Sequence, residues 1–145
     1  SDIITLEYFF KKIKKKKIKI YLDMKGSNSL SSYLYNFIEN HNIETKNIYF
    51  ASFNIKHIDN LFNKNNNLNF GIITYNNLTH LNLHFLIDKY KLKFICIDWS
   101  VLDDETINLI HNLNTRVFAF TVNSKNSLYF IKKYNIDGIV SDIII

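Results

Sequence analysis

Ile20-Tyr21-Leu22-Asp23-Met24-Lys25-Gly26 is the stretch on which the reading of this chain turns. It has the signature of a buried strand that ends in an acid and a lysine two residues apart. Side chains alternate across a strand, so Asp23 and Lys25 should leave the same face. An acid that can hold a cation beside an ammonium that can hold an anion suits a metal-assisted phosphate site. The pattern recurs along the chain. Other apolar runs end in Ser52-Phe53, Asp98-Trp99, Thr121-Val122-Asn123 and Asp142. Polar groups gathered at the C-terminal ends of successive strands are the mark of a barrel-type α/β active face.

Helical and strand periodicities alternate outward from that segment. Thr5 reads as the N-cap of a helix through Leu6, Phe9, Phe10 and Ile13. The spacing predicts strands over Ile18–Met24, Ile48–Phe53, Phe70–Thr74, Phe94–Trp99, Arg116–Val122 and Ile136–Ser141. Between them lie amphipathic helices, several announced by Asp103-Asp104, Ser124 or the Gly26-Ser27-Asn28 turn. An αβ unit repeated in this way implies a parallel sheet with right-handed crossovers. Near-continuous apolar strands imply burial on both faces. Either an open doubly wound sheet or part of an eight-stranded barrel satisfies the pattern. The glycines at 26, 71 and 138 form neither a dinucleotide fingerprint nor a P-loop, which favours the barrel.

At 145 residues the chain suffices for one ordinary domain with a sizeable core. Its 47% hydrophobic and 21% charged residues are those of a globular protein. No apolar run approaches the roughly 20 residues that span a bilayer. A single cysteine, Cys96, rules out an internal disulfide and permits a reducing compartment such as the cytoplasm. Proline is absent while Asn, Lys, Ile, Tyr and Phe abound, a bias that follows AT-rich codons. The net charge of +5, much of it in the Lys11–Lys17 run, therefore reads as a solvated helix face and not as a nucleic-acid surface.

The order of the segments resembles the glycerophosphodiester phosphodiesterase family almost end to end. Thr5-Leu6-Glu7 is similar to the Thr-Leu-Glu that opens the helix before the family's Glu-Ile-Lys strand. Leu22-Asp23-Met24-Lys25 falls where the family has Ile-Glu-Ile-Lys. Ala51-Ser52-Phe53-Asn54 is similar to Ser-Ser-Phe-Asn, and Val117–Asn123 to Val-Tyr-Val-Trp-Thr-Val-Asn. Asp137–Asp142 mirrors the closing Asp-Gly-Ile-Ile-Thr-Asp. Asp23 is one methylene shorter than the family's glutamate, Phe120 replaces its tryptophan, and the proline after the last motif is missing.

The resemblance implies the six C-terminal βα units of a (β/α)₈ TIM barrel, with residues 1–145 forming part of a single domain. It implies a metal-dependent hydrolase, using Mg²⁺ or Ca²⁺, that splits glycerophosphodiesters into glycerol 3-phosphate and an alcohol. The family's catalytic histidines and two further metal carboxylates lie upstream of the matched region. This segment is therefore expected to be inactive alone and to need the N-terminal strands. Within it the resemblance implies a metal ligand at Asp23 and a phosphate contact at Lys25. Phe53, Trp99 and Phe120 are the expected pocket walls for a phospholipid-derived small substrate, although Trp99 reads more safely as a buried aromatic. Ser52, Asn123 and Asp142 read as packing, loop and cap residues. The histidines at 41, 57, 80, 84 and 111 fall in no catalytic motif, and the His80/His84 pair lacks a third ligand. Two other functions fit the same residues: a non-catalytic binding module derived from the fold, or an open α/β domain that holds a small phosphorylated ligand.

Overall fold

Each apolar run pairs with the next one along the chain, and the intervening helix returns it parallel. The computed structural model describes residues 3–13 and 16–144. Helix α1 (Leu6–Ile13) leads to β1 (Ile20–Asp23), α2 (Leu30–Asn40) to β2 (Ile48–Ser52), and α3 (Ile55–Lys64) to β3 (Asn69–Thr74). Then α4 (His80–Tyr90) leads to β4 (Phe94–Asp98), α5 (Asp104–Asn112) to β5 (Arg116–Phe120), and α6 (Lys125–Ile131) to β6 (Gly138–Ile139). The sheet order is β1-β2-β3-β4-β5-β6, and every pairing is parallel. This is a partial TIM barrel, six strands with alternating helices.

Two apolar layers divide the strands by parity. Residues such as Phe50, Phe70, Ile95 and Val117 face the helices in the large outer core. Ala51, Ile73, Phe94, Cys96 and Phe120 face inward, joined by Tyr21, Tyr49, Phe118 and Val140. The inner layer depends on Gly71. A Cβ there would meet the Phe94 ring at 2.1 Å, so only glycine lets that ring lie across β3. Phe94 then stacks on Phe118 with centroids 5.0 Å apart and tilts against Tyr21 at 5.5 Å.

The helix starts are fixed by side chains readable in the sequence. Thr5 Oγ1 accepts from Tyr8 N, Asp103 Oδ1 from Thr106 N, and Ser124 forms a capping box with Ser127. All six strands are found, but their bounds differ from those expected: β1, β2 and β5 are shorter, β3 starts one residue earlier, and β6 and β4 differ in ways that matter for the rim. The ladder of β6 is only Gly138–Ile139, although Asp137 and Val140 still donate backbone hydrogen bonds to Val117 and Ala119. At β4, Asp98 ends the strand, and Trp99–Val101 forms a 3₁₀ turn capped by the Asp98 carboxylate. Among the described residues, no helix is long and apolar enough to cross a membrane.

Candidate functional site

All six strands run in one direction, so their C-terminal ends form one rim. The inward parity of β1 carries through Tyr21 and Asp23 to Lys25 beyond the strand. Lys25 Nζ lies 2.9 Å from Asp23 Oδ2. The hydrogen bond to Asp23, and then its charge, raise the Lys25 pKa, with Tyr75 and Asp142 adding to the effect from within electrostatic reach. Asp23 Oδ1 is buried with no hydrogen-bond partner. A buried, unpartnered carboxylate oxygen is costly, and it is the kind of atom a cation would satisfy.

The neighbouring strand ends are stitched together. Ser52 Oγ donates to Met24 O at 2.7 Å and accepts from Asn54 N at 3.0 Å, tying the end of β1 to the start of α3. Asn123 Nδ2 donates to Asp142 Oδ2 at 2.7 Å, while Asn123 Oδ1 accepts from Asp142 N at 2.9 Å. That double contact clamps the loops after β5 and β6. Asp98 is occupied by its own turn, accepting from Ser100 N and Ser100 Oγ.

Three rings gather at the same rim. Phe53 and Tyr75 stack with centroids 4.7 Å apart and planes 17° from parallel. Both stand edge-on to Phe120, at 5.5 Å and 5.3 Å. Phe120 is buried beneath them, while Tyr75 keeps 60% of its surface exposed. Deeper in the interior, burial pushes the Cys96 thiol up to about 12 and raises the Tyr21 phenol as well. Both stay neutral at ordinary pH, so Cys96 is an apolar filler and not a nucleophile.

The expected site residues Asp23, Lys25, Phe53 and Phe120 thus reach the inner mouth. Trp99 does not. Its ring packs edge-on to Phe130, 5.5 Å away on the helix side, beside Asn126 and Lys133. The reason is parity: Cys96 and Asp98 point inward, so the next residue points out. Tyr75 was missed, although the same count from Gly71 and Ile73 would have placed it inside. All five histidines sit on helices or at the end of one, and none on a strand. His80 meets Glu105, His111 meets Asp137, and His57 is fully buried. Among the described residues, no three His, Cys, Asp or Glu side chains converge as a metal cluster. The unpartnered Asp23 Oδ1 fits a divalent cation as one carboxylate ligand.

No family model matches the sequence, and no curated protein matches it. Solved structures do match the fold. A phosphodiesterase from Oleispira antarctica, in complex with the product sn-glycerol-3-phosphate, is similar with a TM-score of 0.80 at 15% identity. The match covers 94% of this chain and 56% of that one. A glycerophosphodiester phosphodiesterase from Parabacteroides distasonis gives 0.72 at 14% identity, over 94% and 59% of the two chains. One from Agrobacterium tumefaciens gives 0.69 at 10% identity, over 94% and 58%. The chain spans little more than half the length of these structures. At such identities the likeness establishes the fold alone, a partial barrel.

Proposed function

We propose that this chain is the C-terminal part of a glycerophosphodiester phosphodiesterase-like barrel, and that the complete protein hydrolyses glycerophosphodiesters to glycerol 3-phosphate and an alcohol. The observation that carries the reading is the Asp23–Lys25 pair at the mouth, with Asp23 Oδ1 buried and free. In this reading Asp23 is one ligand of a divalent cation, Mg²⁺ or Ca²⁺. The bound cation neutralises phosphoryl charge and polarises the ester. Lys25 orients a phosphate oxygen through its exposed ammonium, and Phe53 and Phe120 wall the organic part of the substrate. In this reading proton transfer falls to histidines on preceding strands, as the resembled family arranges it. On this reading preceding strands complete the domain, and the 145 residues alone are expected to be inactive.

A second reading, a non-catalytic binding module, draws on the strand faces themselves. Among the described residues the strands carry no histidine, and no three His, Cys, Asp or Glu side chains converge as a metal cluster. The two readings separate in one experiment. The longest natural protein that contains this chain is assayed for glycerol 3-phosphate release across a Mg²⁺ and Ca²⁺ titration, with and without chelator. Chelator-sensitive release, lost in Asp23→Asn, supports the hydrolase. Binding of glycerol 3-phosphate without any release supports the module, and absence of both defeats the phosphate reading.

A further inference from the structure

Tyr75 is an exposed tyrosine held in a fixed pose, which a surface residue with no task rarely is. The backbone on either side is locked by a tight turn. Thr74 Oγ1 donates to Asn76 O at 2.8 Å and accepts from Asn76 N at 3.1 Å. The ring is pinned on Phe53 and braced by Phe120. Asp23 pairs with Ala51 in register, so Lys25 and Phe53, each two residues further on, follow neighbouring strand ends, and Tyr75 lies stacked on Phe53. The wall and the cation are therefore contiguous. A phosphate at Lys25 would place the carbon atoms attached to it alongside the rings.

We propose that Tyr75 is a specificity-determining residue: its ring, extending the Phe53–Phe120 wall, takes the organic arm of a phosphate ester and selects organic phosphates over inorganic phosphate. This rests on the reading of Lys25 as the phosphate contact. The chemistry is ordinary. An aromatic face offers apolar contact and weak C–H attraction to a short carbon chain, and a preorganised ring loses little entropy on binding. Inorganic phosphate has no such arm and gains nothing from the ring. The simpler alternative is that Tyr75 merely covers Phe120, and it makes a different prediction.

The test is a calorimetric titration with glycerol 3-phosphate and with inorganic phosphate. It compares the unmodified protein with Tyr75→Ala, Tyr75→Leu, Tyr75→Phe and Lys25→Ala, with melting temperatures alongside. Glycerol 3-phosphate should bind more tightly than phosphate. Tyr75→Ala should cut glycerol 3-phosphate affinity about fivefold and leave phosphate affinity unchanged. Tyr75→Phe should retain the preference. Tyr75→Leu, which still covers Phe120, should restore melting temperature but not the preference. If Tyr75→Leu keeps the full preference, or Tyr75→Ala weakens both ligands equally, the residue is only a cover and the proposal falls. If Lys25→Ala abolishes both affinities while no Tyr75 variant changes their ratio, the phosphate reading stands and the Tyr75 proposal alone fails. Binding of neither ligand to the unmodified protein overturns both.

Discussion

The ammonium of Lys25 holds one oxygen of Asp23 at 2.9 Å and leaves the other oxygen buried and unmatched. An ion pair that served stability alone would gain from satisfying both. The exposed lysine also limits what the pair contributes to folding, since exposed pairs are worth at most about 1 kcal/mol. The arrangement leaves a carboxylate oxygen unpaired just beneath the mouth.

Asp23→Asn should therefore shift stability by no more than about 1 kcal/mol while abolishing phosphodiesterase activity in the complete protein. Asp23→Glu restores the longer side chain seen in the resembled family and should retain activity or raise it. Thermal melts and rates at limiting metal check both. The pair also sets a pH dependence. The Lys25 pKa is raised above its ordinary 10.5, so the contribution of the pair is complete below about that pH and is lost as pH rises beyond it. Asp23→Asn should erase this alkaline component.

Asp59 gives the opposite sign. Tyr90 Oη donates to Asp59 Oδ1 at 2.9 Å and Lys89 Nζ at 3.1 Å, fastening α3 to α4. The Tyr90 bond first, then that of Lys89, lowers the Asp59 pKa below 3.8. The stabilisation is present above about pH 3.8 and fades as pH falls through the lowered value. Tyr90→Phe should cost about 1 kcal/mol at neutral pH and soften the acid limb of the stability curve, as read by urea denaturation.

Gly71→Ala drives a methyl group into the Phe94 ring. Overpacking of this kind costs about 1–3 kcal/mol, and the clash is with a fully buried aromatic. The paired change Gly71→Ala with Phe94→Leu should recover part of the loss. A simple sum of the two single penalties in a double-mutant cycle would show that the ring does not depend on the glycine.

His57 is fully buried, and neither ring nitrogen has a hydrogen-bond partner. Replacing it with leucine removes two unsatisfied polar atoms at similar volume. His57→Leu should be neutral or stabilising by about 1 kcal/mol. A large loss of melting temperature would show that the imidazole is satisfied in solution by an internal water.

Strands β1 and β6 each have one paired neighbour, and the inner aromatic layer lies between those two edges. Such edges template association. The 145-residue chain should self-associate at micromolar concentration. A single monomeric boundary in sedimentation velocity would contradict this.

Much of the fold was legible because it is local. Ile20–Lys25 announces strand, facing and pair by period two alone, and Thr5, Asp103 and Ser124 announce helix starts by their own side-chain chemistry. The errors arose where one more residue of counting, or a neighbour, decides. Trp99 follows an inward Asp98 and so turns outward. Tyr75 belongs to the mouth by the same parity and was overlooked in a polar loop. The regular ladder of β6 is only two residues long, which no residue of Ile136–Ser141 encodes. The free oxygen of Asp23 and the buried pose of His57 are properties of packing in three dimensions, invisible to spacing.

Strand order equals chain order throughout the sheet. Each βα unit therefore needs only the one made before it, and no strand waits for a distant partner. Short sequence separation between partners favours rapid assembly, and it lets the chain build up as it emerges from the ribosome, one unit docking on the last. The same geometry makes the architecture divisible. A break between units removes an end of the sheet and leaves the remaining pairings whole, so a gene for such a fold can be lengthened, cut or joined at those seams without rewriting the rest.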